Sequence, residues 1–509
     1  MNQTLARAIL SAGHSVFLTG PAGSGKTFVL NAFVKEARAQ GKSVAVTAST
    51  GIAATHLGGN TIHSWSGIGI HDQLHDYMIS DMSKARRDQI TKADVLIIDE
   101  VSMLHDYRLD IVEEICRRVR ENDAPFGGLQ VVLSGDFFQL PPVNRSEGVQ
   151  GGFITGSRAW ESLDPVICYL EEQHRQEDDM LLEILTALRS NDLRRRHAEA
   201  LLARKQLRTP FDTPVTELYT RNVDVDAVNQ SKLDNMKGEV HEYEMSSSGR
   251  KTGVESLMKS CLAPELLQLK KGAFVMFVKN AADRKYVNGT LGTVIGFDKT
   301  SDYPIIETHS GVTIAVEPDT WELRDGEKKI ASIVQLPLRL AWAITIHKSQ
   351  GMTLDGAHID LSTAFVPGMG YVALSRVKSL SSLTLGGLNR TALMMNEEAY
   401  DIDERLRKKS QADVKKHADL EASYTAAAAK REKQVARATG ASGWKEKLDK
   451  MRADYPNAYK PWQIIEDETL VNQFKAGVKV AELSTLLGRH RGSIRARLKK
   501  HFGEDANIA

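Results

Sequence analysis

The stretch that decides the fold runs from residue 14 to residue 33 and reads HSVFLTGPAGSGKTFVLNAF. An apolar run is followed by the pattern GxxxxGK[ST] from Gly20 to Thr27, and then by an amphipathic stretch. A strand, a glycine-rich loop and a helix in this order are typical of a phosphate-binding loop, because the glycines let backbone N–H groups turn towards a phosphate at the start of the helix. The alternative interpretation is a glycine turn before an ordinary helix.

The residues of this loop have separate predicted roles. Lys26 would neutralise β- and γ-phosphate oxygens, and the Thr27 hydroxyl would complete the coordination of a magnesium ion. The backbone of the loop would wrap the phosphates. The predicted nucleotide-binding residues here are Gly20, Gly23, Ser24, Gly25, Lys26 and Thr27.

A second apolar run, VLII at residues 95–98, ends in two adjacent carboxylates. Asp99 would hold the magnesium ion through water, and Glu100 would orient the attacking water as a base. A carboxylate pair at the end of a strand is, on its own, often only a solvated turn. Together with Lys26 and Thr27, it predicts magnesium-dependent hydrolysis of a nucleoside triphosphate.

The rest of the chain predicts an α/β fold. Short β-branched runs alternate with amphipathic stretches up to about residue 190, which indicates a parallel sheet covered by helices. A second α/β segment has candidate strands at Thr216–Thr220 and near Leu338–Ile346, and between them residues 271–335 contain five short runs that predict a small antiparallel barrel. The predicted parts are a first domain (1–195), a second domain (196–395), a charged helical linker (396–450) and an all-α last domain (451–509).

Length and composition set the outer limits. The 509 residues suggest about three domains at roughly 150 residues each, and the formal charge of +1 means that any nucleic-acid affinity must come from local arrangement. Three scattered cysteines favour a reducing cytosol over a disulfide framework or a four-ligand zinc site. Because there is no signal-peptide pattern and no apolar run of 18 residues, we expect neither secretion nor membrane association.

Five further stretches carry a family resemblance. They are TASTGIAATHLGGNTIHSWSGIG (47–69), GGLQVVLSGDFFQLPPV (127–143), EEQHRQEDD (171–179), LAWAITIHKSQGMTLD (340–355) and YVALSRV (371–377). Together with the phosphate loop and IIDEVSM, this ordered series resembles the petite-integration-frequency family of superfamily 1B helicases, with RecD-like and phage Dda-type helicases as relatives. The resemblance covers about residues 3–390.

The resemblance implies two RecA-like domains with ATP in the cleft between them, and travel from 5′ to 3′ on single-stranded DNA. Gln139 matches the family's γ-phosphate sensor, and Arg175 and Arg376 match arginines that reach the γ-phosphate, where an arginine contributes factors of about 10³ to 10⁵ to the rate. Gln3 stands where the family's adenine-contacting glutamine would stand. Gly351 is assigned to the nucleotide as well.

The resemblance also implies a path for DNA. Residues of the 47–69 stretch would contact the strand in the first domain, with Trp65 stacking on a base unless it is a core tryptophan. In the second domain the matching segments are TRN at 220–222 and HKSQ at 347–350, and His347 has the alternative of a buried, hydrogen-bonded histidine. The predicted DNA contacts of the motor are Thr50, Gly51, His63, Trp65, Thr220, Arg221, Asn222, His347 and Lys348.

The last hundred residues differ in charge from the rest. Residues 401–509 contain 23 Lys+Arg against 16 Asp+Glu, and no acidic residue occurs between Leu483 and Gly503. Three short helices are expected at Trp462–Phe474, Val480–Leu487 and Ser493–Phe502, which resembles a helix-turn-helix or Myb-like unit. Arg491 and Arg495 are its predicted DNA contacts. The alternatives are a solvated basic helix and a protein-docking unit.

The leading hypothesis is an ATP-dependent DNA helicase that uses ATP and Mg²⁺ and binds single-stranded and forked or duplex DNA. Two alternatives remain: a translocase that displaces proteins without much unwinding, and an ATP-gated DNA-binding loader. We expect a monomeric motor in the cytoplasm, encoded by a bacterium or a phage. The pathway, whether repair, recombination or replication, is open.

Overall fold

The computed structural model of the protein describes residues 1–69, 71–144, 149–171, 179–205, 215–281, 285–286, 288–308, 311–325, 328–354, 356–438 and 451–503. The chain divides into two compact units, Met1–Glu421 and Ala422–Ala509. No helix in the described ranges is long and apolar enough to cross a membrane.

The first half of the larger unit is a parallel sheet with helices on both faces. Its strands are β1 (Val16–Thr19), β2 (Val44–Ala48), β3 (Asn60–Thr61), β4 (Val95–Asp99), β5 (Gln130–Ser134) and β6 (Val166–Tyr169). Their order in the sheet is β3-β2-β4-β5-β1-β6, and every pairing is parallel. The helices are α1 (Gln3–Ser11), α2 (Lys26–Ala39), α3 (Gly51–His56), α4 (Ile62–Ser66), α5 (Tyr77–Ser80), α6 (Lys84–Lys92), α7 (Asp106–Arg120), α8 (Arg158–Leu163), α9 (Asp179–Arg189) and α10 (Arg195–Leu202).

Strand β4 shows why these runs are apolar throughout. Val95 and Ile97 pack into one hydrophobic core, while Leu96 and Ile98 pack into the other. Successive side chains of a strand point to opposite faces, so a strand covered on both faces needs apolar residues at every position. Asp99, where the strand leaves the core, is the first polar residue.

The second half contains a four-stranded parallel sheet. After β7 (Thr216–Tyr219) the chain passes through α11 (Asn222–Asp234) and the insert, and it returns to the sheet with β18 (Ala343–Thr345), β19 (Ala357–Leu361) and β20 (Leu383–Leu388), with α13 (Met369–Leu374) between the last two. The strand order is β18-β7-β19-β20. Two parallel sheets covered by helices confirm the predicted fold class.

The insert is larger than the predicted segment at 271–335, and its strands divide between separate antiparallel sheets. Five strands form one sheet, three form another with α12 (Lys251–Ser260) packed on it, and two pair alone. The strands are β8 (His241–Glu244), β9 (Ser246–Gly249), β10 (Leu266–Leu269), β11 (Phe274–Phe277), β12 (Leu291–Phe297), β13 (Pro304–Thr308), β14 (Thr313–Ala315), β15 (Asp319–Asp325), β16 (Lys328–Gln335) and β17 (Leu338–Leu340). The expected strand near Leu338–Ile346 is split, because β17 joins the five-stranded sheet while β18 joins the parallel one.

The long helix α14 (Glu397–Ala438) leaves the second half and returns to the first. Asp413 Oδ2 accepts a hydrogen bond from Ile167 N–H at 2.8 Å, and Ser410 Oγ accepts one from Tyr169 N–H at 3.3 Å. Both donors belong to β6, an edge strand whose N–H groups would otherwise lack partners. The helix therefore covers an exposed sheet edge.

The smaller unit contains the three expected helices. They are α15 (Ile464–Lys475), α16 (Val480–Leu486) and α17 (Arg491–Phe502). Leu470, Leu483, Ile494 and Leu498 are buried between them.

Candidate active site and nucleic-acid interface

The segments of the predicted phosphate site meet at one cavity of about 540 Å³. The first half contributes residues that follow β1, β4 and β5, because the carboxyl ends of parallel strands lie at one edge of the sheet. The second half contributes residues that follow β18 and α13. The lining residues are Ala22, Gly23, Gly25, Lys26, Thr27, Phe28, Glu100, Gln139, Gly351, Thr353, Arg376 and Lys378.

Most of the residues predicted to bind the nucleotide thus line this one cavity. Gln3 lies against the phosphate loop, where its Nε2 donates to Ser24 O at 3.2 Å. Gly25 has φ +87°, a left-handed conformation that favours glycine, and a Cβ there would displace the Gln3 amide, whose Nε2 would lie 2.2 Å away. Arg175 lies outside the described residues.

The Lys26 side chain is oriented by hydrogen bonds to the phosphate loop. Its Nζ donates to Gly20 O at 2.8 Å and to Pro21 O at 3.1 Å. Burial lowers the pKa of Lys26, and the carboxylates of Asp136 and Glu100 act against this shift. Ser24 Oγ is also buried, with no hydrogen-bond partner among the described residues. An orphaned donor beside a lysine and a glycine loop fits a phosphate group.

The two carboxylates at the end of β4 sit in an environment that disfavours their charge. Burial raises the pKa of Asp99, and burial together with the neighbouring Asp99 raises the pKa of Glu100 to about 7. Glu100 also has φ +52°, a left-handed conformation that costs a non-glycine residue energy and that clusters at functional sites. Its Oε2 accepts a hydrogen bond from Gln350 Nε2 at 3.1 Å.

Arg376 reaches the cavity from the second half with its guanidinium already positioned. The Nε donates to Val372 O at 2.8 Å, and Nη1 donates to Ser349 O at 3.2 Å and to Met352 O at 3.1 Å. A fixed arginine can stabilise charge that develops on phosphoryl oxygens without reorganising during the reaction. Opposite it, Gln139 is buried and its Oε1 has no partner within the described part of the chain.

A buried polar network behind the phosphate loop joins the two halves. Tyr371 Oη accepts a hydrogen bond from Ala22 N–H at 3.0 Å and donates to Asp136 Oδ2 at 3.2 Å. Arg189 donates to Asp136 Oδ1 at 2.6 Å and to Tyr371 Oη at 3.2 Å. On its other side, Arg189 bonds to Asp403 on α14 at 3.2 Å. These residues were not predicted, although Asp136 and Tyr371 lie inside motifs that the sequence displays.

Comparison with known proteins agrees with this geometry. Residues 1–186 match the family model of the PIF1-like helicase, and residues 254–297 match that of the DNA helicase Pif1 2B domain. The ATP-dependent DNA helicase Pif1 of Psychrobacter sp. is 42% identical over 468 residues, an alignment that covers 80% of this chain and 71% of that relative. The chain belongs to the PIF1-like helicase family.

Two solved structures of the family have the same fold. The Pif1 helicase of Candida albicans superimposes with a TM-score of 0.70 at 34% identity, covering 79% of this chain and 98% of that one. The Pif1 helicase of Bacteroides in complex with ADP-AlF3 and ssDNA gives a TM-score of 0.60 at 32% identity, covering 80% and 96%. The chain is an ATP-dependent DNA helicase with two RecA-like domains, as the sequence predicted.

The residues predicted to contact DNA in the first half follow two neighbouring strands, Thr50 and Gly51 after β2 and His63 and Trp65 after β3. Thr50 Oγ1 accepts a hydrogen bond from Ala53 N–H at 3.3 Å at the start of α3, which begins at Gly51. His63 lines a second cavity of about 610 Å³ between the first half and the insert, and burial together with Arg108 lowers its pKa to about 4. Three arginines line the same cavity and were not predicted: Arg86, Arg108 and Arg250.

Trp65 requires a correction. Its side chain is only 3% exposed and packs in the larger hydrophobic core. A base can stack only on a ring face that solvent reaches, so the stacking role was wrong and the alternative of a core tryptophan is the one observed. The helix α4 turns Trp65 inward, an orientation that the sequence motif does not contain.

In the second half the predicted contacts vary in exposure. Thr220 is buried, and its Oγ1 shares a hydrogen bond with Thr363 Oγ1 at 2.7 Å. Arg221 is exposed and Asn222 begins α11, while burial lowers the pKa of both His347 and Lys348. The ring of His347 lies parallel to Phe365, with centroids 6.4 Å apart.

Phe365 is an aromatic residue that the sequence did not single out. It is 53% exposed, unlike most phenylalanines of the described chain, and it follows β19 on a short loop. Its neighbours Ala364 and Val366 are also apolar, so the sequence gives no signal that its ring is exposed.

Proposed function

We propose that this helicase is a monomeric motor that moves from 5′ to 3′ along single-stranded DNA and unwinds duplex ahead of it. One observation carries the proposal: the phosphate loop of the first half and Arg376 of the second half line the same cavity. ATP held between them would favour closure of the two halves, and loss of the γ-phosphate would weaken it. The direction of travel rests on the family resemblance.

The chemistry follows from the placement of the side chains. Lys26 and the loop N–H groups hold the phosphates, Glu100 orients and deprotonates the attacking water, and Arg376 stabilises charge on the γ-phosphoryl oxygens. Gln139 bonds either the water or the γ-phosphate. We assign the same γ-phosphate role to Arg175 from its motif alone.

The residues near the loop fit a magnesium ion. The Thr27 hydroxyl and the Asp99 carboxylate are hard oxygen donors, and Mg²⁺ is typically held by one or two such protein groups together with phosphates. Across the described residues, no cluster of three or more His, Cys, Asp or Glu side chains could hold a metal without a nucleotide. When bound, Mg²⁺ would neutralise charge on the β- and γ-phosphates.

Contacts between the DNA motifs and the catalytic carboxylate support coupling of hydrolysis to DNA. Ser49, next to Thr50, donates from its hydroxyl to Glu100 O at 2.6 Å. Gln350, in the segment that begins with His347, donates to the Glu100 side chain at 3.1 Å. Bound DNA that shifts either segment would therefore also shift the Glu100 carboxylate. This contact gives DNA a direct way to stimulate ATP hydrolysis.

We further propose a path for the strand. The cavity that Arg86, Arg108 and Arg250 line would attract phosphates, and the exposed ring of Phe365 beside His347 would stack on a base in place of Trp65. Thr50, Gly51, His63, Arg221, Asn222 and Lys348 keep their predicted roles as contacts along this path, and Thr220 supports its loop.

The predicted boundaries also remain proposals: a first RecA-like domain at 1–195, a second at 196–395 and a helical connection at 396–450. We place the protein in the cytoplasm of a bacterium or of a phage host, since the Psychrobacter relative is bacterial and both ATP and DNA are available there.

The test compares two partial duplexes that differ only in the end that carries the single-stranded tail, with ATP and Mg²⁺. We expect unwinding of the 5′-tailed substrate alone, and a loss of at least about 100-fold in Lys26→Ala, because Lys26 is the one cation within the phosphate loop Gly20–Thr27. Lys92→Ala, an exposed lysine at the end of α6, is the matched control.

Preferential unwinding of the 3′-tailed substrate would contradict the direction. DNA-stimulated ATPase without unwinding of either substrate would favour the protein-displacing translocase, and DNA binding with only slow, unstimulated hydrolysis would favour the loader.

A further inference from the structure

The last helix of the smaller unit and the turn before it carry a cluster of basic residues whose surroundings differ. The sequence shows six arginines and lysines between residues 489 and 500, and the structure separates them into two groups. Two of them hold the unit together. Four lie at its surface, and they are Arg491, Arg495, Lys499 and Lys500.

The internal group is satisfied by acids and by a tryptophan on the same unit. Arg489 is only 2% exposed, bonds to Glu466 Oε2 at 2.8 Å and lies 4.3 Å from the centre of the Trp462 ring. Arg497 donates from Nε to Asp467 Oδ1 at 2.7 Å. Glu466 and Asp467 of α15 therefore neutralise Arg489 and Arg497.

Arg491 and Arg495 in the exposed group have no such compensation. Among the described residues, no ion pair or hydrogen bond to an acid involves the side chain of Arg491 or Arg495, and no acidic residue occurs from Leu483 to Gly503. Arg491, Arg495 and Lys499 are four residues apart, so they follow one face of α17. The face therefore offers a row of cations about 6 Å apart along the helix.

The residues between these cations indicate what the face can approach. Gly492 and Ala496 are exposed and carry almost no side chain, so the helix backbone can come close to another surface. A protein interface is typically anchored by aromatic or large apolar residues, and the exposed side chains of α17 include none. A row of cations on a slim helix suits the phosphates that border a groove of duplex DNA.

The preceding helix and turn give α17 the arrangement of a DNA-reading helix. α16 ends at Leu486, the turn passes through Gly488 at φ +59°, and α17 begins at Arg491 with His490 as its N-cap. The short second helix packs on the third through Leu483, Ile494 and Leu498. In a helix-turn-helix the helix after the turn lies in the major groove with its first residues towards the bases, and in three-helix variants this is the third helix.

We propose that the exposed face of α17, defined by Arg491, Arg495, Lys499 and Lys500, binds duplex DNA. This gives the helicase a second DNA contact, independent of the single-strand path through the motor. Phosphates supply the affinity, so binding tolerates differences in sequence and weakens with salt. The proposal does not depend on the direction of travel.

The experiment uses the full chain and the variant Arg491→Ala/Arg495→Ala. Its matched control is Lys475→Ala/Lys479→Ala, which removes the same charge from exposed positions of the same unit outside α17. Dissociation constants are measured for a blunt 20-base-pair duplex and for a dT oligonucleotide at several salt concentrations, alongside dT-stimulated ATPase. Circular dichroism verifies that both variants fold.

We expect the Arg491→Ala/Arg495→Ala variant to bind duplex about tenfold more weakly at 50 mM salt, with a salt dependence shallower by about 1.8 in log–log slope for two lost phosphate contacts. Affinity for dT and stimulated ATPase should stay within about twofold, which separates this result from a failure of the motor. Unchanged duplex affinity would overturn the proposal and favour an acidic protein as the ligand of this face. An equal loss in the lysine control would overturn it too, because total charge alone would then explain the binding.

Discussion

The ATP cavity and the exposed face of α17 use the same residue types in opposite ways. In the cavity, Lys26 and Arg376 are each held by at least two hydrogen bonds to backbone carbonyl oxygens. On α17, Arg491 and Arg495 extend into solvent without an acidic partner in the described chain. Charges in a protein interior interact strongly and demand exact geometry, whereas exposed charges are screened by salt and act by their number.

This difference has consequences for mutation. In the cavity, a change of one functional group should alter the reaction rate while leaving the charge of the protein almost unchanged. On α17, affinity should follow the number of cations and the ionic strength.

The largest effect is expected for Glu100→Gln. The amide keeps the size of the side chain and can still bond to Gln350, but it cannot accept a proton from the attacking water. We expect kcat for DNA-stimulated ATP hydrolysis to fall by about 10² to 10⁴-fold, the usual contribution of a general base, with nucleotide binding retained. Steady-state ATPase assays and binding of a fluorescent ATP analogue measure the two quantities.

Glu121→Gln is a closely matched control. Glu121 also has a left-handed backbone, with φ +51°, but it is exposed at the end of α7 and far from the chemistry. The Glu121→Gln protein should hydrolyse ATP at the rate of the unmodified protein. A Glu100→Gln protein with more than a tenth of the original kcat would show that another group activates the water.

A smaller effect, on stability alone, is expected for Arg489→Ala in the last unit. The change leaves Glu466 without its partner and removes hydrogen bonds to Lys460 O and Pro461 O at 2.8 and 2.9 Å. Breaking a buried pair costs about 3 to 5 kcal/mol, and because Glu466 is partly exposed we expect about 2 kcal/mol. Hydrogen exchange of the amides in α15, α16 and α17, followed by mass spectrometry, reports the opening free energy of this unit.

Arg495→Ala is the control for that measurement, since it removes an exposed arginine of the same unit. Its exchange protection should match that of the unmodified protein. Equal losses of protection in the two variants would mean that the division into internal and surface cations is wrong.

The sequence predicted the cavity better than it predicted the surfaces. Lys26 and Glu100 are fixed by local chemistry, because a phosphate loop or a strand-end carboxylate needs particular residues at particular spacing, and Arg376 was assigned through its family motif. Trp65 failed because its motif gives the residue and not the direction in which α4 turns it. Strand β9 was missed because its four residues, SSSG, have no apolar alternation, and it forms by pairing with the distant strand β16.

Contacts between residues far apart in the sequence were the other feature that the sequence could not predict. The contact of Gln350 with Glu100 joins residues 250 positions apart, and nothing in either motif signals it. The same holds for the separation of Arg489 from Arg491, since which arginine of a basic run finds an acid depends on the packing of α15. The fold class and the three last helices, by contrast, were predicted because periodicity and glycine breaks are local.

The smallest effect is expected for Tyr371→Phe, which tests whether the network behind the phosphate loop contributes to catalysis. The change removes only the hydroxyl that accepts from Ala22 N–H and donates to Asp136. A net hydrogen bond is worth about 1 kcal/mol, so we expect kcat/KM for ATP to fall about fivefold, while the thermal midpoint moves little. Tyr243→Phe, which removes a tyrosine hydroxyl bonded to Asp302 O in the insert, should leave both quantities unchanged. If Tyr371→Phe lowered the thermal midpoint without changing kcat/KM, the network would only hold the halves together; a change in kcat/KM at constant stability would mean that the second half positions the phosphate loop through Tyr371.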